Sequence, residues 1–155
     1  MPAQQALDLA LSAAPYVPKR LYTSDQPRCA ELAAGLARVW RLPLEVDSNL
    51  REISFGLWEG STYAELEAED HARWRAWCDN WQELAPPEGE SLPTFERRIR
   101  AWLKTQKPCD GTLVVTHAGV MRAMDVIAGE SWSTVMSREY PYLGWRAYRL
   151  EHEEG

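Results

Sequence analysis

Residues 112–128 read TLVVTHAGVMRAMDVIA, and the passage from strand to helix inside that stretch decides the fold class. Thr112 to Thr116 is a short continuous apolar run rich in β-branched residues, the composition of a strand buried on both faces of a parallel sheet. The helix that follows spans Gly119 to Ala128. A similar junction occurs earlier, where Arg20 to Thr23 reads as a short strand. Ser24 or Asp25 can cap the next helix, which has Pro27 in its first turn and runs to about Trp40. Two strand-to-helix units in this order predict an α/β fold, a three-layer α/β/α sandwich with a mostly parallel sheet.

Working outward, Gln4 to Ala14 places Ala6, Leu9, Ala10 and Ala13 at helical spacing until Pro15 and Pro18 stop the pattern. Leu44 to Val46 is a second short strand. Asn49 to Gly60 holds two glycines and little periodicity, so it reads as a loop packed over something. Thr62 and Glu65 form a capping box opening a helical stretch that continues through Trp74, Trp77 and Trp81, which share one face. Pro86, Pro87 and Gly89 break the chain. Ser91 then caps a helix to roughly Lys107, with Phe95, Ile99, Trp102 and Leu103 as its apolar stripe, and Asp110-Gly111 turns the chain. Trp145 to Leu150 alternates and predicts a last strand. With no repeat, low-complexity tract or linker, residues 1–155 read as one domain.

Bulk properties narrow the partners. With 155 residues and 45% hydrophobic content, the chain can bury one substantial core. Its 23 acidic and 17 basic residues give a net charge of -6, a field that repels phosphate backbones and anionic membranes. Neither nucleic acid nor membrane is expected as a partner, and a phosphorylated ligand must be held by local cations. The cysteines, Cys29, Cys78 and Cys109, are odd in number and widely spaced, which fits a reducing compartment. Residues 1–14 carry no basic segment followed by an apolar stretch, and no apolar run approaches membrane-spanning length, so a cytoplasmic protein is expected.

In open α/β sheets ligands bind beyond the carboxyl ends of the strands, which ranks Ser24, Asp25, Arg28 and His117 above polar residues elsewhere. His117 precedes a helix N-terminus, whose free N–H groups favour an anion, and its ring could donate to a phosphoryl oxygen. The alternative is a histidine satisfied by backbone in a βα turn. Arg28 offers a planar fork suited to bidentate phosphate contact, or it is a surface arginine near a helix start. Glu52 and Glu59 lie among Ile53, Phe55, Leu57 and Trp58. A carboxyl group held among apolar side chains is harder to ionise, which suits a general acid near neutral pH; the other reading is loop carboxylates facing water. The tryptophans read as a packing face, and His71 and His152 as surface residues. Signatures of a serine hydrolase elbow, a P-loop, a dinucleotide fold and a zincin are absent from the sequence. The isolated histidines and cysteines do not suggest zinc, and no metal or cofactor is expected.

In order along the chain, Gln5-Ala6 with Leu9-Ala10, LYTSDQPRCAELA (21–33), LREISFGLWEG (50–60), PPEGES (86–91) and VVTHAGVMRAM (114–124) resemble the motifs of the histidine phosphatase (phosphoglycerate mutase-like) superfamily. The resemblance implies phosphate binding by Arg28 and His117, a proton donor at Glu52, and a substrate rim at Ser24, Glu90 and Ser91. Within the superfamily, RWRAWCDNWQ (73–82) with PPEGES and a helix carrying Phe95 and Arg98 is most similar to α-ribazole phosphatases of cobalamin biosynthesis. The resemblance therefore implies a metal-independent phosphomonoesterase acting on a small phosphorylated substrate. A phosphate-binding module without chemistry is the alternative, and a mutase-type enzyme a third reading.

The family's nucleophile is a histidine in an R-H-G motif after its first strand, ahead of the Gln-Ala helix. Only MPAQ precedes that helix here, and R-H-G occurs nowhere in the 155 residues. His117 matches the family's second histidine and is no simple substitute. The missing strand would leave an open edge beside the strand that ends at His117. Either the true start lies upstream of Met1, or the chain is a short form whose sheet closes by rearrangement or by pairing as a homodimer. Activity of the 155 residues alone is in doubt on this reading.

Overall fold

The sheet of the computed structural model, which describes residues 1–149, is organised around β1 (Arg20–Thr23). β2 (Leu44–Val46) and β3 (Thr112–Val115) flank it, both parallel to it, in the order β2-β1-β3. Leu21 lies opposite Leu44 on one side and Leu113 on the other. Because strand side chains alternate, Leu21, Leu113 and Val115 face one way and Tyr22 and Val114 the other. On the first face α1 (Ala3–Ala13) and α2 (Pro27–Trp40) close a core of Ala10, Leu21 and Leu36, with Leu7, Leu11, Leu32 and Trp40 packed around it. On the second face α5 (Leu92–Gln106) brings Trp102 against Tyr22 and Leu50. α6 (Ala118–Ile127) then packs on α5 through Phe95, Ile99, Val120 and Ala123. Helices on both faces of a parallel sheet make the expected three-layer α/β/α sandwich.

The strand given as buried on both faces is the wrong one. Leu21, Tyr22 and Thr23 of β1 are at most 1% exposed, whereas every residue of β3 is only partly buried. The cause is position: among the described residues β1 has a strand on each side, and β3 pairs with β1 alone.

The Thr62–Glu65 capping box forms as read, with Glu65 N donating to Thr62 Oγ1 and Thr62 N to Glu65 Oε2. The helix it opens is interrupted, however. α3 (Tyr63–Glu69) and α4 (His71–Asp79) meet at Asp70, whose backbone leaves the helical region at φ -137°. Its carboxylate there accepts from Trp58 Nε1 at 2.9 Å and Arg73 Nε at 2.8 Å. Trp74 and Trp77 stack at 5.5 Å, but Trp81 lies beyond the end of α4 and leaves their face.

After α7 (Trp132–Met136) the chain was expected to finish as a strand over Trp145 to Leu150; residues 145–149 form none, and Leu150 and His152 lie outside the described residues. Alternating side chains of this segment dock on α6 instead. Arg146 Nη2 reaches Asp125 at 3.1 Å, and Tyr148 Oη donates to the Met121 carbonyl at 3.0 Å. Asp125, 3% exposed, also accepts from Arg138 Nη1 at 2.7 Å and from Tyr140 Oη. Burial alone would raise its pKa; the hydrogen bonds from Tyr140, Arg138 and Arg146 outweigh it and hold the carboxyl below its ordinary value. A carboxylate with a depressed folded pKa stabilises above its unfolded pKa of about 3.9, and that contribution is lost as pH falls through the folded value. Asp125→Asn should therefore cost roughly 2 kcal/mol in urea unfolding at pH 7, moderated because both arginines keep solvent contact. The gap to wild type should shrink as the pH approaches 3; a pH-independent gap would contradict a charge-based anchor.

Candidate functional site

Parallel register places the ends of β1 and β3 side by side: Thr23 pairs with Val115, and Ser24 N donates to the Val115 carbonyl at 3.1 Å. The next residues of both strands therefore emerge at one edge of the sheet. His117 Nε2 lies 2.9 Å from Ser24 Oγ, which is fully buried and also accepts from Gln26 N at 3.1 Å. Ser24 thus caps a turn before α2 rather than the helix itself. The N-cap is Gln26, because Pro27 takes the first helical position.

Cys29, one residue beyond Arg28, lies against the His117 ring, its Sγ 3.6 Å from Nε2 and 3.7 Å from Nδ1. Burial pushes this thiol up to about 11, so it is an un-ionised packing group at neutral pH. Burial likewise pushes His117 below the ordinary histidine value; Arg28 adds to that lowering, while Glu52 and Asp25 oppose it. The ring is accordingly neutral near pH 7, with one N–H to give and one lone pair.

Glu52 arrives from the loop. Its Oε2 accepts from Gly119 N at 3.0 Å, in the first turn of α6, and its Oε1 from Ile53 N at 3.0 Å. The carboxylate satisfies one of the free N–H groups of that helix end. Gly119 is required by this approach, since a Cβ there would stand 1.9 Å from Oε1. The apolar setting expected for Glu52 is not found. Phe55 and Trp58 turn away and pack with Trp74 and Trp77. Glu59 is exposed and accepts from Phe55 N at 2.7 Å, closing the loop rather than facing His117.

Arg28 sits in the first turn of α2, exposed, its guanidinium 5.9 Å from the centroid of the Tyr142 ring. Asp25 is engaged bidentately by Arg51, at 2.7 and 2.5 Å, and the Arg51 hydrogen bond holds its carboxyl below the usual range. The structure thus brings Ser24, Glu52 and His117 together, with the charge of Arg28 acting on the ring.

Glu90 and Ser91 are occupied in the frame. Glu90 accepts from Ser54 N at 3.0 Å and from Arg98 Nη2 at 2.8 Å; Ser91 caps α5 by accepting from Thr94 N at 3.2 Å. Arg98, whose role no sequence pattern assigned, also donates to the carbonyls of Asn49 at 2.5 Å and Arg51 at 3.0 Å, clamping the acid loop onto α5. The loop's other side meets residues 87–89 so closely that a Cβ on Gly56, at φ +56°, would stand 2.2 Å from the Pro87 carbonyl oxygen. The eight-residue spacing of Glu90 and Arg98 was the one hint of the clamp, since it spans a turn and a helix start. Among the described residues no cluster of three or more His, Cys, Asp and Glu could hold a metal, and no helix is long and apolar enough to cross a membrane.

The charges around His117 make a signed prediction for its titration followed by NMR. The wild-type ring should titrate below about 6.5. Glu52→Gln should lower that value further and Arg28→Gln should raise it. Shifts in the opposite directions would show that these side chains do not face the ring.

A family model described as histidine phosphatase superfamily (branch 1) matches residues 3–154. An adenosylcobalamin/alpha-ribazole phosphatase of Salmonella typhimurium is 30% identical over 105 residues, 66% of this chain and 52% of that protein. Its Escherichia coli counterpart is 34% identical over 84 residues, 52% of this chain and 41% of that protein. The chain thus spans about half the length of these curated relatives. Among solved structures, the alpha-ribazole phosphatase from Shigella flexneri superposes with a TM-score of 0.74 at 25% identity, covering 86% of this chain and 68% of that one. A mycobacterial glucosyl-3-phosphoglycerate phosphatase gives 0.65 at 27% identity, covering 81% and 64%. With the family match running through almost the entire sequence and the fold shared, this chain belongs to the histidine phosphatase superfamily.

Proposed function

We propose that this chain carries the phosphate-binding and proton-donating half of a phosphomonoesterase of the α-ribazole phosphatase type. The observation that carries the reading is the convergence of Ser24, His117 and Glu52 beyond the ends of β1 and β3, with Arg28 one residue before the Cys29 that packs on His117. Arg28 grips two phosphoryl oxygens with its planar fork. His117, neutral and fixed by its contact with Ser24, gives an N–H to a third oxygen. Glu52, seated at the start of α6, takes up a proton from solvent and passes it to the departing alcohol oxygen. Relatives named alpha-ribazole phosphatase support α-ribazole 5′-phosphate as the substrate, a step of cobalamin biosynthesis.

Chemistry in this superfamily runs through a phosphohistidine formed by the histidine of R-H-G and then cleaved by water. His71, His117 and His152 all lie outside such a motif. On this reading the 155 residues by themselves turn over poorly or not at all. The same observation favours the second reading, a module that binds a phosphorylated ligand without chemistry.

Phosphate release from α-ribazole 5′-phosphate, measured on this chain and on a version extended by a strand carrying R-H-G, separates the two. The extended form should be faster by at least about a thousandfold, the scale on which a missing nucleophile is felt. Equal and negligible rates with retained phosphate binding would favour the module, and loss of phosphate binding in both would overturn the site.

A further inference from the structure

The carboxylate of Glu52 reaches Gly119 from a loop, and the backbone of that loop is pinned by the helices around it. Glu52 N donates to Gln26 Oε1, at the N-cap of α2, at 3.1 Å. On the other side its carbonyl faces α5, with Arg98 Nη2 donating at 3.4 Å. Arg98 Nη1 donates in addition to the carbonyls of Asn49 at 2.5 Å and Arg51 at 3.0 Å, while Nε and Nη2 donate to the two carboxylate oxygens of Glu90 at 3.0 and 2.8 Å. The guanidinium has five N–H groups, and these five acceptors match them. The carbonyls of Asn49, Arg51 and Glu52 therefore converge on one cation. Without it they and the Glu90 carboxylate would lose their shared donor where the side chains of Arg98 and Glu90 are only 19% and 21% exposed.

Both partners of the clamp are themselves fixed. The guanidinium lies 4.9 Å from the centroid of the Phe95 ring, a fully buried member of the core between α5 and α6. Glu90 follows a turn in which Gly89 N donates to the Pro86 carbonyl at 2.8 Å and Glu88 takes φ +58°, a left-handed conformation uncommon outside glycine. That turn is stitched to the acid loop, because Leu57 N donates to the Pro87 carbonyl at 2.9 Å and Glu90 N to the Ser54 carbonyl at 2.8 Å. Backbone strain held by such cross-links is characteristic of segments that place a functional group.

We propose that Arg98 is a positioning residue for Glu52: paired with Glu90, it gathers the carbonyls of Asn49, Arg51 and Glu52 and so keeps the Glu52 carboxylate at the start of α6. Its importance for catalysis rests on the reading that Glu52 is the proton donor. Arg98 itself touches no reacting atom. A merely structural arginine would hold α5 to the loop without deciding where this one carboxylate stands.

The sign of one titration tests the placement without turnover. The charges acting on His117 are those of Glu52 and Asp25, which raise its pKa, and Arg28, which lowers it; the Cys29 thiol against the ring is un-ionised. Loss of the Arg98 charge, and the unpairing of Glu90 that goes with it, would raise the value through the direct effect of charge. Release of Glu52 from its seat lowers it. NMR titration of His117 in Arg98→Gln should therefore show a fall, in the direction of Glu52→Gln and about half its size or more. Arg98→Lys keeps the charge but has neither the fork nor enough donors, so it should lower the value as well. In a Glu52→Gln background neither substitution should lower it further. An unchanged or raised value in the folded single variants, or a further fall in the double variants, would overturn the proposal. Loss of folding in both Arg98 variants would overturn it too, because the clamp would then serve the whole fold and not the placement of Glu52. Phosphate release by the form extended with R-H-G decides the underlying reading separately: undiminished turnover in Glu52→Gln would remove Glu52 as proton donor and leave the titration result standing.

Discussion

One backbone hydrogen bond, from Ser24 N to the Val115 carbonyl, sits at the point where β1 and β3 stop being strands. It continues the parallel register of Leu21 with Leu113 and Thr23 with Val115 by one further residue. Because the strands run the same way and end at the same level, the residues that follow them emerge together. Ser24 therefore meets His117, and the first turn of α2 delivers Cys29 against the imidazole. A slip of one residue would turn Leu21 and Tyr22 toward opposite layers and scatter the site along with the core. The acid loop is fitted to this frame from outside. Thr116 Oγ1 donates to the Leu50 carbonyl at 2.8 Å, and Arg98 grips the loop's carbonyls from α5. Glu52 then reaches the start of α6, where glycine leaves room for it.

A net charge of -6 argues against anion binding until the charges are placed. Asp25 is paired with Arg51, Glu90 with Arg98, and Asp125 with Arg138 and Arg146. Each pair removes a carboxylate from the local field while fixing a loop or the C-terminal segment in place. Among the described residues Arg28 stands apart from these pairs, its guanidinium 5.9 Å from the centroid of the Tyr142 ring. Local pairing, not total charge, decides where a phosphoryl group finds a cation.

Much of the scaffold was legible because its signals are local. Pro27 at the first helical position, the Ser91 cap and the Thr62–Glu65 box each fix an element boundary with residues a few positions apart. His117 and Ser24 were legible for the same reason, as polar residues directly after strands. Long-range partners were not. The alternation from Trp145 to Tyr148 has the period of a strand, but its alternate side chains answer to Asp125 and the Met121 carbonyl on α6. Burial of β1 rather than β3 depends on how many neighbours each strand has, which no run of β-branched residues states. The setting of Glu52 was misread because Phe55 and Trp58, close in sequence, turn to a separate aromatic cluster.

The proposed phosphomonoesterase reading needs one anion site between Arg28, His117 and the start of α6. A crystal structure of the chain with orthovanadate tests it most directly. The anion should lie beyond the ends of β1 and β3, within hydrogen-bond distance of the Arg28 guanidinium and a ring nitrogen of His117. Vanadate bound elsewhere, or a cleft left empty at saturating concentration with Arg28 still turned to Tyr142, would contradict it.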